Sequence, residues 1–171
     1  MKDATPVYPY SAAYARGHGE LDAYRASHKA NVACKQAIEA AIREHYRDNS
    51  LSREAALQVI EQFGLDRVQY VLANTVRQKD WDGRISNDNK AWAGNFPVYE
   101  DKDHWGDDRN LDFVVASHPG LTDLFTTQVR REAKERESQK DRKPSVLKKL
   151  REVSAEPKAK SVPGRSKETE R

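Results

Sequence analysis

The densest run of chemically capable side chains is Asp80-Trp81-Asp82-Gly83-Arg84, followed closely by Ser86, Asp88, Asn89, Lys90 and Trp92. A calcium loop needs oxygen ligands at alternate positions, a glycine at the sixth and a glutamate at the twelfth. Counted from Asp80 those positions are Ile85 and Ala91, which excludes that chemistry. A glycosidase pair needs two carboxylates facing each other across a cleft, and Asp80 and Asp82 are too close in sequence to establish one. Two readings remain. In the first, Asp80 and Asp82 bond Arg84 and nearby amides while Trp81 and Trp92 fill the core. In the second, Asp80, Trp81, Asp82, Arg84, Asn89, Lys90 and Trp92 form an exposed binding patch, with the aromatic and arginine content of interface hot spots.

A second candidate is the acidic run Tyr99 to Asp112, with six acids and two bases. Its Asp101, Asp103, Asp107 and Asp108 are candidate binding residues. Elsewhere the familiar signatures are missing. The five histidines, His18, His28, His45, His104 and His118, show neither HExxH nor Cys/His zinc spacing. There is no glycine-rich phosphate loop and no GxSxG elbow. Cys34 is the single cysteine, so it reads as a buried structural thiol in a chain without an internal disulfide. No catalytic residue, metal or cofactor is therefore expected. An enzyme of unfamiliar type would need Asp80, Asp82 or His118 to converge in one pocket.

The elements that must position these residues read as helices. Pro6 and Pro9 keep the start extended. Ser11 caps a short helix over Ala12 to Arg16, broken by Gly17-His18-Gly19. A long helix is predicted from Glu20 to Arg47, with Leu21, Tyr24, His28, Asn31 or Val32, Ile38, Ile42 and Tyr46 on one face. Asp48-Asn49-Ser50 ends it. Ser52 caps the next helix, whose apolar face is Ala55, Ala56, Val59, Ile60 and Phe63, and Gly64 stops it. Asp66 is expected to cap a helix to Gln78 lined by Val68, Val71, Leu72, Thr75 and Val76. These two helices also fit a helix-turn-helix, with Arg67 and Gln69 as early polar readers. Ser86 caps a short helix to Ala93, ended by Gly94. Ser117 caps the last, with Pro119 in its first turn and Leu121, Leu124, Phe125 and Val129 facing inward.

Charge divides the chain. Residues 1–129 hold 15 Lys/Arg and 19 Asp/Glu, a net of −4, whereas residues 130–171 hold 15 and 8, a net of +7. The expected organisation is an all-α bundle of five or six helices over residues 1–131, followed by a charged, largely disordered tail over residues 132–171. Pro144 should interrupt that tail, and Val146, Leu147, Leu150 and Val153 could form a short amphipathic helix. No apolar run reaches the ~18 residues of a membrane span, and the first residues lack a signal-peptide layout, so a soluble, cytoplasmic protein is expected.

Four stretches together resemble a known family: Gly19-Glu20-Leu21-Asp22-Ala23-Tyr24-Arg25, Tyr70-Val71-Leu72-Ala73-Asn74-Thr75-Val76, Lys79-Asp80-Trp81-Asp82-Gly83-Arg84 with Asn89-Lys90-Ala91-Trp92, and Ser117-His118-Pro119-Gly120-Leu121. The family is a bacterial domain of unknown function, numbered three-eight-four-nine, and the likeness spans about residues 6–131. The resemblance implies cargo of a conjugative or other mobile genetic element and assigns no catalytic residues. The functional expectation is a non-enzymatic binding protein, an anti-CRISPR or antirestriction inhibitor of a host defence nuclease acting by protein–protein contact. The alternative is a nucleic-acid-binding accessory factor, with salt-sensitive binding through residues 132–171.

Overall fold

The computed structural model describes residues 5–102 and 105–160, and the side chains among them up to residue 140. Among these residues are six α-helices, a two-stranded hairpin and a 3-10 turn, the all-α architecture expected. The chain divides into two units, residues 1–132 and 133–171.

In the first unit, helix α1 (Ala12–Gly17) begins at Ser11, whose hydroxyl accepts the Tyr14 N–H. Gly19 takes φ 68°, a left-handed conformation that carries no Cβ penalty in glycine, and the chain turns into α2 (Leu21–His45). Helix α2 buries Ser27, Asn31, Cys34, Ile38, Ala41 and Ile42, which step by three or four along one face. It ends before the predicted Arg47 because the chain turns back on itself. Strands β1 (Tyr46–Arg47) and β2 (Ser50–Leu51) pair antiparallel around Asp48 and Asn49, at φ 51° and 62°. Two successive positive-φ residues make a two-residue hairpin loop, which Asp and Asn tolerate better than most.

Helix α3 (Arg53–Phe63) is capped by Ser52 and buries Ala55, Ala56, Val59, Ile60 and Phe63, as predicted. Gly64, at φ 87°, ends α3 and opens α4 (Leu65–Gln78) directly, so Asp66 lies inside the first turn instead of capping it. Helix α4 is buried along most of its length. Its polar residues reach across to other elements: Asn74 Nδ2 donates to Asn110 O at 2.8 Å, and Thr75 Oγ1 accepts the Val115 N–H at 3.0 Å. Arg67, the early reader of a helix-turn-helix, is 1% exposed. Its guanidinium donates to Ser27 O at 2.9 Å, to Asn31 Oδ1 and to Thr5 O at 2.8 Å. A buried cation needs such acceptors, and Arg67 thereby ties the extended N-terminal segment and α2 to α4.

Helix α5 (Asn87–Asn95) starts at Ser86 and runs through Gly94, slightly past the predicted end. Arg77 donates to Ala93 O, Gly94 O, Phe96 O and Val98 O, so one side chain serves carbonyls that a helix end leaves without intrahelical partners. A 3-10 turn (Arg109–Phe113) orders the end of the acidic run. Helix α6 (Pro119–Lys160) follows. His118 sets its start where Ser117 was predicted to: His118 O accepts from Leu121 and Thr122, and Nδ1 accepts the Gly120 N–H at 3.0 Å. Thr122, Phe125, Thr126 and Val129 are buried, an i, i+3, i+4, i+7 stripe. Leu124 falls off that stripe and is 41% exposed, against the sequence expectation. Arg53 Nη2 meets Glu132 at 2.7 Å.

In the second unit the helix runs through Pro144 to Lys160, without the predicted interruption. The side chains of Val146, Leu147, Leu150 and Val153 lie outside the described residues, as do residues 161–171 of the expected tail. No helix among the described residues is long and apolar enough to cross a membrane.

Candidate functional site

The segment from Asp80 to Trp92 splits into an inner and an outer set. Asp82 is buried in the turn after α4. Its Oδ1 accepts from Arg84 N at 2.9 Å and Arg84 Nε at 3.0 Å, and its Oδ2 from Arg84 Nη2 at 2.8 Å. These bonds to the Arg84 side chain and backbone hold the Asp82 carboxyl down at about 2, against an ordinary 3.8. Asn89 is fully buried. Its Nδ2 donates to Asp123 Oδ1 at 2.6 Å and Thr127 Oγ1 at 3.1 Å, and its Oδ1 accepts from Arg130 Nη1 at 2.8 Å. It joins α5 to α6. Trp92 is half-buried, packs on Phe96, and carries Arg130 Cζ 5.7 Å above its ring. Asp80 is exposed, Lys90 is half-buried, and Trp81 is 76% exposed. The structure thus joins both sequence readings: Asp82 bonds Arg84 as in the first, whereas Trp81 faces water as in the second.

The acidic run divides in the same way. Asp101 is buried; Oδ1 accepts the Ala12 N–H at 3.2 Å and Oδ2 accepts the Tyr24 hydroxyl. It is therefore not part of an exposed acidic surface. Asp108 accepts the Asn110 N–H at 3.0 Å and starts the 3-10 turn, an ordinary capping role. Asp107 is exposed, 3.8 Å from Arg109 Nη1, and Trp105 is 83% exposed. Asp103 lies outside the described residues.

The model of the family described as "Protein of unknown function (DUF3849)" matches residues 7–134. The chain belongs to that family. Neither a curated protein nor a solved structure matches it. The DUF3849 domain contains every candidate residue named above.

Sequence reasoning missed two features of this DUF3849 domain. One is a narrow crevice lined by Tyr8, Tyr10, Tyr24, Tyr70 and Tyr99 beside Asp101. The space it leaves, about 20 Å³, suits roughly one water molecule. Burial and the bond to Asp101 push the Tyr24 phenol well above its usual range, and burial and the bond to Glu20 raise Tyr8 to about 12. The Tyr8-Pro9-Tyr10 run was the available signal. The other is a cavity beyond Tyr24, on the side of α1, lined by three arginines.

Asp82 and His118 both approach Arg84, whose Nη1 lies 3.4 Å from His118 Nε2. With the Gly120 N–H on His118 Nδ1, a neutral ring carries its proton on Nε2. The Arg84 approach is then a packing contact between two donors. Asp82 accepts three bonds from Arg84. Among the described residues no group of three His, Cys, Asp or Glu could hold a metal ion.

Proposed function

We propose that this DUF3849 domain is a non-enzymatic binding module whose protein partner docks on Trp81 and Trp105. The exposure of these two rings, at 76% and 83%, carries the reading. Tryptophan is the costliest kind of apolar surface to leave wet and the residue most enriched at interface hot spots. Each ring has an exposed acid close by in sequence, Asp80 and Asp107. The complementary partner face is therefore basic, as in the nucleic-acid groove of a nuclease, where carboxylates can sit in place of phosphates. In its narrower form, the protein is a cytoplasmic inhibitor of a host defence nuclease, of anti-CRISPR or antirestriction type, carried by a bacterial mobile element. The likeness of its motifs to such cargo supports that form.

A second reading rests on the net charge of +7 in residues 130–171. Lysine and arginine there would neutralise phosphates without reading sequence, as an accessory factor would.

Affinity purification separates the two. The full chain and a chain lacking residues 133–171 are recovered, with and without nuclease treatment, from cells expressing candidate defence nucleases. A stoichiometric protein held by both chains and resistant to nuclease treatment is the expected result. Nucleic acid alone, lost with the deletion, would replace the first reading with the second.

A further inference from the structure

The arginine-lined cavity draws on three elements. Arg16 comes from α1, Arg25 from α2 and Arg109 from the 3-10 turn, and they share a cavity of about 250 Å³ with Tyr24, His28 and Asp112. Three guanidiniums against one carboxylate leave the lining cationic, in a region of chain whose net charge is −4 over residues 1–129. That lone carboxylate is already engaged, with His28 Nε2 3.0 Å from Asp112 Oδ2. Arg109 Nη1 lies 3.8 Å from Asp107 Oδ2. Neither Arg16 nor Arg25 forms an ion pair with any described residue. Like charges lining one concavity repel, and an anion between them would relieve that repulsion. The aromatic wall is preset: the Tyr24 hydroxyl is tied to Asp101, and its ring stacks on His28 with centroids 5.8 Å apart.

We propose that this cavity binds a small phosphomonoester, with its phosphate on Arg16, Arg25 and Arg109 and its uncharged part against Tyr24 and His28. A phosphate matches the lining, where Arg16 and Arg25 form no ion pair with a described residue and Arg109 is shared with Asp107. The planar guanidinium fork can meet two phosphate oxygens at once, which a lysine ammonium cannot do in the same fixed geometry. The volume lies just under the ~300–1,000 Å³ of drug-sized pockets, which favours a ligand the size of a sugar phosphate over a dinucleotide. Neither Trp81 nor Trp105 lines the cavity, so phosphate binding is measured apart from capture of a docked protein.

The test is calorimetric titration of the full chain with ribose 5-phosphate, with ribose and inorganic phosphate as companions. Saturable binding of ribose 5-phosphate, absence of binding by ribose, and competition by inorganic phosphate are expected. Arg16→Gln and Arg25→Gln should each weaken binding by about tenfold or more while the thermal melt stays unchanged, since both side chains are exposed. Phosphate raises the stability of many proteins by exclusion from their surfaces, so a raised melting temperature alone does not count. No saturable heat from either phosphate probe would overturn the proposal, as would unchanged binding in the double arginine variant. Tighter binding of a short oligonucleotide through the same arginines would also overturn it, in favour of a nucleic-acid backbone.

Discussion

Residues 80–92 and residues 99–112 are built from the same materials: acids, asparagine and tryptophan. Among the described residues each keeps one carboxylate inside and one tryptophan outside, yet the inner carboxylates are satisfied over very different ranges. Asp82 finds its partner two residues away, in Arg84. Asp101 finds its partners 77 and 89 residues away, in Tyr24 and Ala12. The first closes a turn; the second fastens the loop before the 3-10 turn to α1 and α2. The range of a buried polar contact therefore decides what its loss unravels, and composition gives no hint of that range.

Substitution can break this comparison, and the largest effect belongs to Asp101. Asp101→Ala leaves the Ala12 N–H and the Tyr24 hydroxyl without their acceptor and should cost about 3 kcal/mol in urea unfolding. Asn89→Ala comes next, at about 2 kcal/mol, because it removes the contacts joining α5 to Asp123, Thr127 and Arg130. Asp82→Asn should cost less than either at neutral pH, and its cost should depend on pH. The Asp82 carboxyl titrates lower in the folded chain, at about 2, than its ordinary 3.8. Its contribution is then complete above about pH 4 and is lost as the pH falls toward 2. The gap between wild type and Asp82→Asn in stepped-pH unfolding should close over that interval. Smallest of all, Trp81→Ala should move stability by no more than ~0.5 kcal/mol, as expected of a surface site. A large loss there would show that the ring is packed.

The parts of the fold legible in the sequence are those set by neighbours. The face of α3, the caps at Ser52 and Ser86, and burial of Cys34 follow from spacing of three or four and from short side chains at helix starts. The Asp48-Asn49 hairpin was hidden because the same two residues also end helices. Arg67 reads as an exposed cation until its acceptors in Thr5, Ser27 and Asn31 are placed around it. His118 displaced Ser117 as the start of α6 because its ring nitrogen, as well as its carbonyl, serves the first turn. Within the candidate site, the exposure of Trp81 matches one of the two readings the sequence left open, whereas Asp82, Asn89 and Asp101 belong to the interior. Arg16, Arg25 and Arg109 carry no common motif; only folding brings them to one cavity.

The inner and outer sets make one claim together: the buried acids hold the fold and, on the proposed reading, the exposed tryptophans hold the partner. The most direct measurement is capture of the protein partner by a chain carrying both Trp81→Ala and Trp105→Ala, with its thermal melt recorded beside wild type. The account predicts lost capture with an unchanged melt. Capture at the wild-type level by that chain would contradict it.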